Sequence, residues 1–444
     1  MKPSGLILAL LAGSLSLSSS AQEIPLASPP LVIQAMEEEI SRSLKKLRLE
    51  NFGPSYFIAY RLVDQSYAEL ESYFGAPSSF EQGRTQHLYV EVRYGNYSLD
   101  NVDREYQGIE ASVALNGDPQ ALRQALWSLS DSAYKNAVSS YLRKKGNQAI
   151  ELQQEKLDDF SREQPQQHLS PSELRPHPLS PYRETLGRLS ALGKEFPFLI
   201  QCVAALRIRQ DQRILVTSEG TRLVTPFRQN PFELSLQMHA RSSEGFPIRN
   251  QRVFYAPRWE DLPPEPRLRE VVLGMIQEVR ELLRAPQLPP YTGPALLDPE
   301  STATLFHEAV GHRLEGERQR EEEEGQTFKE KLGEKILPPF LSLSDDPTLD
   351  SFQNTSLNGH YAYDSEGVPA QRVLLVEKGI LKGFLLSRRP IHGFSRSNGH
   401  ARAQAGNHPL GRMVVLIVQT ENPLPKERLQ SLLQEECRKQ GRPY

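Results

Sequence analysis

The sequence predicts an α+β fold, with an N-terminal antiparallel sheet and long helices followed by a β-rich catalytic domain that carries a motif helix. Three observations predict it. Apolar residues recur every three or four positions at Val32, Met36, Ile40, Leu44 and Leu47, which is the helical period. Other stretches, rich in aromatic and β-branched residues, alternate in polarity as half-buried strands do. The chain of 444 residues is 38% hydrophobic and 24% charged, enough for two or three domains with proper cores. Its net charge of −3 gives no electrostatic footprint for nucleic acid, so a nucleic-acid partner is not expected.

Residues 1–21 have the layout of a secretory signal peptide: Lys2, a short apolar run over 5–17, and Ser19-Ser20-Ala21 as a cleavage site. The mature protein is therefore expected outside the cytoplasm, periplasmic or extracellular, with no membrane span after signal cleavage. An N-terminal α+β domain is expected over 22–160. It holds a helix over 31–49, strands over 56–62, 66–74 and 87–94, and a long helix from Pro119 to about Leu157. In that helix Leu122, Leu126, Trp127, Ala133 and Tyr134 are candidate core residues.

A central α+β region over 161–285 opens on a polar, proline-containing linker over 164–181, whose His168 and His177 read as solvated. Strands over 196–239 follow, with Ser218-Glu219-Gly220-Thr221 as a turn, and then an amphipathic helix over 268–283. The catalytic domain takes 286–444. A strand over 291–298 leads into the motif helix, which Asp298 caps and Pro299 opens. The acidic run over 315–324 reads as a solvated helix face. Cys202 falls in a buried strand and Cys437 in a charged helix over 426–439, which makes no disulfide framework.

The chemistry is concentrated in His307-Glu308-Ala309-Val310-Gly311-His312. Neutral imidazoles are zinc ligands, and a hydrolytic zinc site needs a carboxylate close by to handle protons. The spacing of five differs from the familiar four. Five residues turn roughly 500°, so the rings would sit about 140° apart on a regular helix. Convergence on one ion therefore requires the helix to widen, bend or end between them, with Gly311 as the expected place. The bland alternative is a buried helix start with hydrogen-bonded histidines.

The wider stretch from Thr304 to Glu317 closely resembles the catalytic helix of the TldD/PmbA metallopeptidases, historically called modulators of DNA gyrase. Their pattern is H-E-x-x-x-H with a nearby E-G, here Glu315-Gly316. Tyr363-Asp364-Ser365-Glu366-Gly367 resembles the family's D-D-E-G turn, and a strand and hairpin over 372–386 follow. Gly399-His400-Ala401-Arg402 resembles its G-x-x-R segment. The likeness runs from about Leu296 to Met413.

The resemblance implies a zinc metallopeptidase acting on peptides or unfolded chains. His307 and His312 would be zinc ligands, and Glu308 would pass a proton from the attacking water to the leaving amine. Arg402 would bind a peptide carboxylate or carbonyl, and His392, His400 and His408 could line the cleft. The family's third ligand is a cysteine in a glycine-containing loop. The sequence stops at Arg442-Pro443-Tyr444, and Cys437 lacks that context, so the chain reads as truncated at its C-terminus. The family also implies a homodimer or a heterodimer with a homologous subunit. The alternative reading is a non-catalytic structural or partner subunit of such an assembly.

Overall fold

The computed structural model describes residues 28–442, apart from 104, 105, 107, 114–117, 149–156, 172, 173, 175–177, 227–230 and 321–325. The signal-peptide layout, His177, the end of the long second helix and part of the acidic run lie outside the described residues. The expected α+β architecture is present.

Helix α1 (Pro29–Lys46) starts on prolines and ends on Lys45 and Lys46, each at the terminus it favours, and buries Val32, Ile33, Met36 and Ile40. Strand β1 (Phe57–Tyr73) is one 17-residue strand where the sequence pattern suggests two. The polar interruption at Asp64 does not break it. Asp64 is buried, with both carboxylate oxygens held by Arg84 at 2.7 and 2.6 Å from the neighbouring strand. Its partner β2 (Ala76–Arg93) follows through the two-residue turn Phe74-Gly75, both with positive φ, as a tight hairpin requires.

Next come β3 (Ile109–Ser112), α2 (Pro119–Gln148), β4 (Gln167–Leu169), α3 (Ser180–Ala191), β5 (Leu199–Thr217), β6 (Arg222–Pro226), β7 (Phe232–Arg241), β8 (Pro247–Ala256) and α4 (Glu265–Arg284). Among the described residues, β1–β8 form one sheet drawn from both sides of residue 160. Its pairs are antiparallel except β4 with β6. The 164–181 segment is thus not all linker, since β4 adds to the sheet beside β6.

The two faces of this sheet do different things. Even-numbered residues of β1 and β5 build the cores: Tyr60, Leu62, Ile214 and Val216 against α1 and α2, and Leu70, Leu206 and Ile208 against α3 and α4. Phe57, Ala59 and Leu215, with Leu223 of β6, point the other way, onto Phe160 and Tyr363. That second face seats the C-terminal part of the chain. Three arginines clamp it there. Arg213 donates to Ser365 Oγ and the Ala403 carbonyl, Arg320 to Asp159, and Arg388 to Glu219 and the Ser161 carbonyl.

The C-terminal part contains α5 (Pro299–Ala309), α6 (Gly316–Arg320), β9 (Leu341–Asp345), a short hairpin β10 (Ser351–Phe352) and β11 (Thr355–Ser356), β12 (Val373–Glu377) and β13 (Ile380–Leu381). It continues with β14 (Ala401–Arg402), β15 (Leu410–Gly411), β16 (Leu416–Thr420) and α7 (Lys426–Lys439). A sheet in the order β13-β12-β9-β16 surrounds a core of Leu314, Leu343, Leu375, Val376 and Leu385. Residues 291–298 are not a strand. Pro289, Pro290 and Pro294 deprive the segment of ladder donors, and it runs irregular and largely exposed. The acidic run is not a solvated face at its start, because Glu315 and Glu317 are buried.

Candidate metal centre

The motif helix α5 is built by its ends. Asp298 accepts a hydrogen bond from the Ser301 N–H at 2.7 Å, and Pro299 occupies a first-turn position. None of its residues is buried, and Leu305 is 50% exposed. The helix stops at Ala309. Val310, with φ −119° and ψ −54°, leaves helical geometry, and a 3₁₀ turn over Gly311–Leu314 follows. Arg313 folds back and donates to the carbonyls of Glu308 (3.1 Å) and Ala309 (2.6 Å), which the ended helix leaves open.

This break cancels the angular mismatch of the five-residue spacing. The His307 and His312 rings meet edge to face with centroids 4.7 Å apart. Glu308 sits between them, with its carboxylate oxygens 3.9 Å from His307 Nε2 and 3.8 Å from His312 Nε2. One ligand atom from each of the three lies within 4.8 Å of the others. His307 is 52% exposed, so the buried, merely hydrogen-bonded helix start does not describe it.

The break falls one residue earlier than the glycine expected to supply it. Gly311 has no positive φ. It is small for another reason: a Cβ there would lie 1.9 Å from Met413 Sδ.

The other sequence candidates do not join this cluster. Arg402 lies on β14 with its guanidinium 4.5 Å from the Tyr361 ring centre. His400 is fully buried and is no cleft residue. Its Nδ1 faces the Asn398 carbonyl at 3.0 Å and its Nε2 faces Asp345 at 3.3 Å. His408 Nδ1 lies 3.3 Å from the Tyr89 hydroxyl, its ring edge-on to Tyr106, and burial pushes its pKa down to about 3. That places His408 in the seam with the N-terminal sheet. His392 is exposed, and His168 packs its ring near Tyr363. Cys437 is buried, with Sγ 4.0 Å from the Tyr291 hydroxyl.

Sequence reasoning missed Glu315 and Arg412. Glu315 Oε1 lies 2.9 Å from His312 Nδ1, and the carboxylate accepts from Arg318 Nε (2.8 Å) and Arg412 Nη1 (3.0 and 3.1 Å). Its neighbour Glu317 is bonded to the Ser387 hydroxyl and the Gly411 N–H, and burial raises its pKa. The only local signal was the E-G after the histidine, which reads as surface charge without its distant partners.

Residues 290–435 match the family model described as the PmbA/TldA metallopeptidase C-terminal domain. A metalloprotease of Methanothermobacter thermautotrophicus is 38% identical over 134 residues, 30% of this chain and 28% of that protein. A zinc metalloprotease TldD homolog of Saccharolobus solfataricus is 34% identical over 113 residues, 25% of this chain and 24% of its own. Over residues 290–435 the chain is similar to the TldD/PmbA metallopeptidases. The matched segments span about a quarter of these relatives' own length, and the residues that match the family model include the motif.

The fold likeness reaches further than the sequence likeness. A structure of a proposed DNA gyrase modulator from Thermotoga maritima superposes with a TM-score of 0.57 at 14% identity. It covers 90% of this chain and 80% of its own.

The donor set suits zinc. The two imidazoles are ligands of the kind zinc takes, and the Glu308 carboxylate lies close enough to act beside an ion they hold.

Proposed function

We propose that this protein is an exported zinc metallopeptidase that hydrolyses peptide bonds in peptides or unfolded chains. The observation that carries the reading is the convergence of His307, Glu308 and His312 at the break after α5. His307 and His312 would hold the ion, which when bound polarises the scissile carbonyl and acidifies the attacking water. Glu308 is placed to take the proton from such a water and would deliver it to the leaving amine. Its 65% exposure leaves it reachable by a substrate backbone.

A hydrolytic zinc site normally has three protein ligands. The family resemblance supports a cysteine as the third, and Cys437 lies outside the cluster. Arg402 is a candidate anchor for a substrate carbonyl or carboxylate. Export is supported by the layout of residues 1–21, and a homologous or identical partner subunit by the resemblance. Among the described residues no helix is long and apolar enough to cross a membrane.

Elemental analysis and peptide hydrolysis test the reading together. The wild-type protein should bind zinc. Glu308→Gln should lose hydrolysis by at least ~100-fold while keeping the metal, since general acid–base catalysis contributes about 10²–10⁴-fold. His307→Ala and His312→Ala should lose both. Wild-type turnover in Glu308→Gln would refute the assigned role.

A further inference from the structure

We infer that Glu315 is a positioning residue. It fixes His312 as the Nδ1–H tautomer and so directs the Nε2 lone pair towards the metal position between His307 and Glu308. The inference rests on the zinc reading above, and it concerns a residue outside the cluster of His307, Glu308 and His312.

The hydrogen-bond inventory of Glu315 decides the tautomer. Oε1 receives Arg412 and faces His312 Nδ1, while Oε2 receives Arg318 and Arg412. Two guanidinium groups, which can only donate, meet both oxygens, and beside these two cations the ionised carboxylate is the favoured form and an acceptor only. The His312 nitrogen 2.9 Å away must then donate. In a neutral imidazole that leaves Nε2 as the lone-pair nitrogen, and Nε2 is the atom facing Glu308.

The backbone explains why Glu315 can impose this. The side chain of Glu315 is 4% exposed and that of His312 30%. Gly316 N–H donates to the Leu385 carbonyl and Leu385 N–H to the Leu314 carbonyl, both at 2.8 Å. Leu385 is fully buried in the core beside β12. The bond to Glu315 thus ties a partly exposed ring to the rigid interior. Arg412 brings in the strand segment after β15. No side-chain hydrogen bond of this kind holds His307 among the described residues, so the two histidines are unequally constrained.

The test uses the full chain labelled with ¹⁵N-histidine, which has ten histidines to assign. Long-range ¹H–¹⁵N spectra of the metal-free protein above the imidazole titration range report each tautomer. His312 should be Nδ1–H in the wild type, whereas His307 should populate the Nε2–H form. Glu315→Gln should mix the His312 tautomers and weaken zinc binding by about 10–100-fold in a chelator competition. A merely structural role would lower stability and leave the tautomer alone. A wild-type His312 in the Nε2–H form overturns the inference, and so does a Glu315→Gln variant with unchanged tautomer and zinc affinity. If Glu315→Gln does not fold, the wild-type tautomer alone decides. A wild type that shows the Nδ1–H form yet binds no zinc would support the tautomer and overturn the metallopeptidase reading instead.

Discussion

Gly311 touches the motif from below. Its backbone conformation is open to any residue, but its Cα lies against Met413, whose sulfur would be 1.9 Å from an added Cβ. Gly311→Ala should therefore cost about 1–3 kcal/mol by overpacking, without backbone strain. Shortening the partner in the double variant Gly311→Ala/Met413→Ala should return part of that loss. Urea denaturation of both variants measures it, and an unchanged midpoint for Gly311→Ala would show that the thioether simply moves aside. The same residue-scale logic separates the histidines. His307 and His312 face outward together, whereas His400 is used up inside the fold by Asp345 and Asn398.

Helix α5 differs from α1, α3 and α4 in that none of its residues is fully buried; Phe306 packs partly buried against the C-terminal core, so the helix gains little packing energy along its length. Short helices without a packed face are marginal in water. Its persistence depends on its ends, Asp298 at the N-terminus and Arg313 folded under the C-terminus. Asp298→Ala should cost about 1 kcal/mol of local helix stability. Amide exchange over residues 301–309 should speed up about fivefold while the global unfolding midpoint hardly moves. Equal acceleration throughout the C-terminal part would contradict this local account. The cap was readable from sequence, since an Asp-Pro pair before an apolar-periodic run needs no distant partner. The extent of β1 was not, because Asp64 stays in the strand through Arg84 and Gln86 on β2.

Across the whole molecule, the C-terminal part sits on the sheet face opposite the helices, and the seam is highly charged. Arg93 and Arg388 approach Phe160 with guanidinium carbons 3.6 and 3.8 Å from its ring centre. Glu366 accepts from the Arg388 N–H in this seam. Burial, with Asp364 close by, pushes its pKa up to about 8. Asp364 itself is raised by burial to about 6 against three backbone N–H donors. A carboxyl whose folded pKa is raised contributes stability below its unfolded pKa and loses it as pH rises through the folded value. For Glu366 that window runs from about 4.5 to about 8. Glu366→Gln stays neutral, so its stability relative to wild type should grow by about 3–4 kcal/mol between pH 5 and pH 8. Taking the difference between the two proteins removes the opposing contribution of His408. A constant difference across that range would mean that Glu366 is ionised in the folded protein throughout.

The sequence by itself determined what is local. Periodic apolar spacing placed α1, α4 and α7 to within a few residues, and residue type with spacing marked His307, Glu308 and His312. Even the break between the histidines was legible, because the helical angle forbids their meeting without one. Only the tertiary structure decided which charged residues are internal. Glu315, Glu317, Asp64 and His400 are buried by partners far along the chain, among them Arg412, Ser387, Arg84 and Asp345. Gly311 is answered by Met413 in the same way. A charge can be buried only where opposite charges or hydrogen-bond donors meet it, and that meeting is a property of the folded chain that no local pattern encodes.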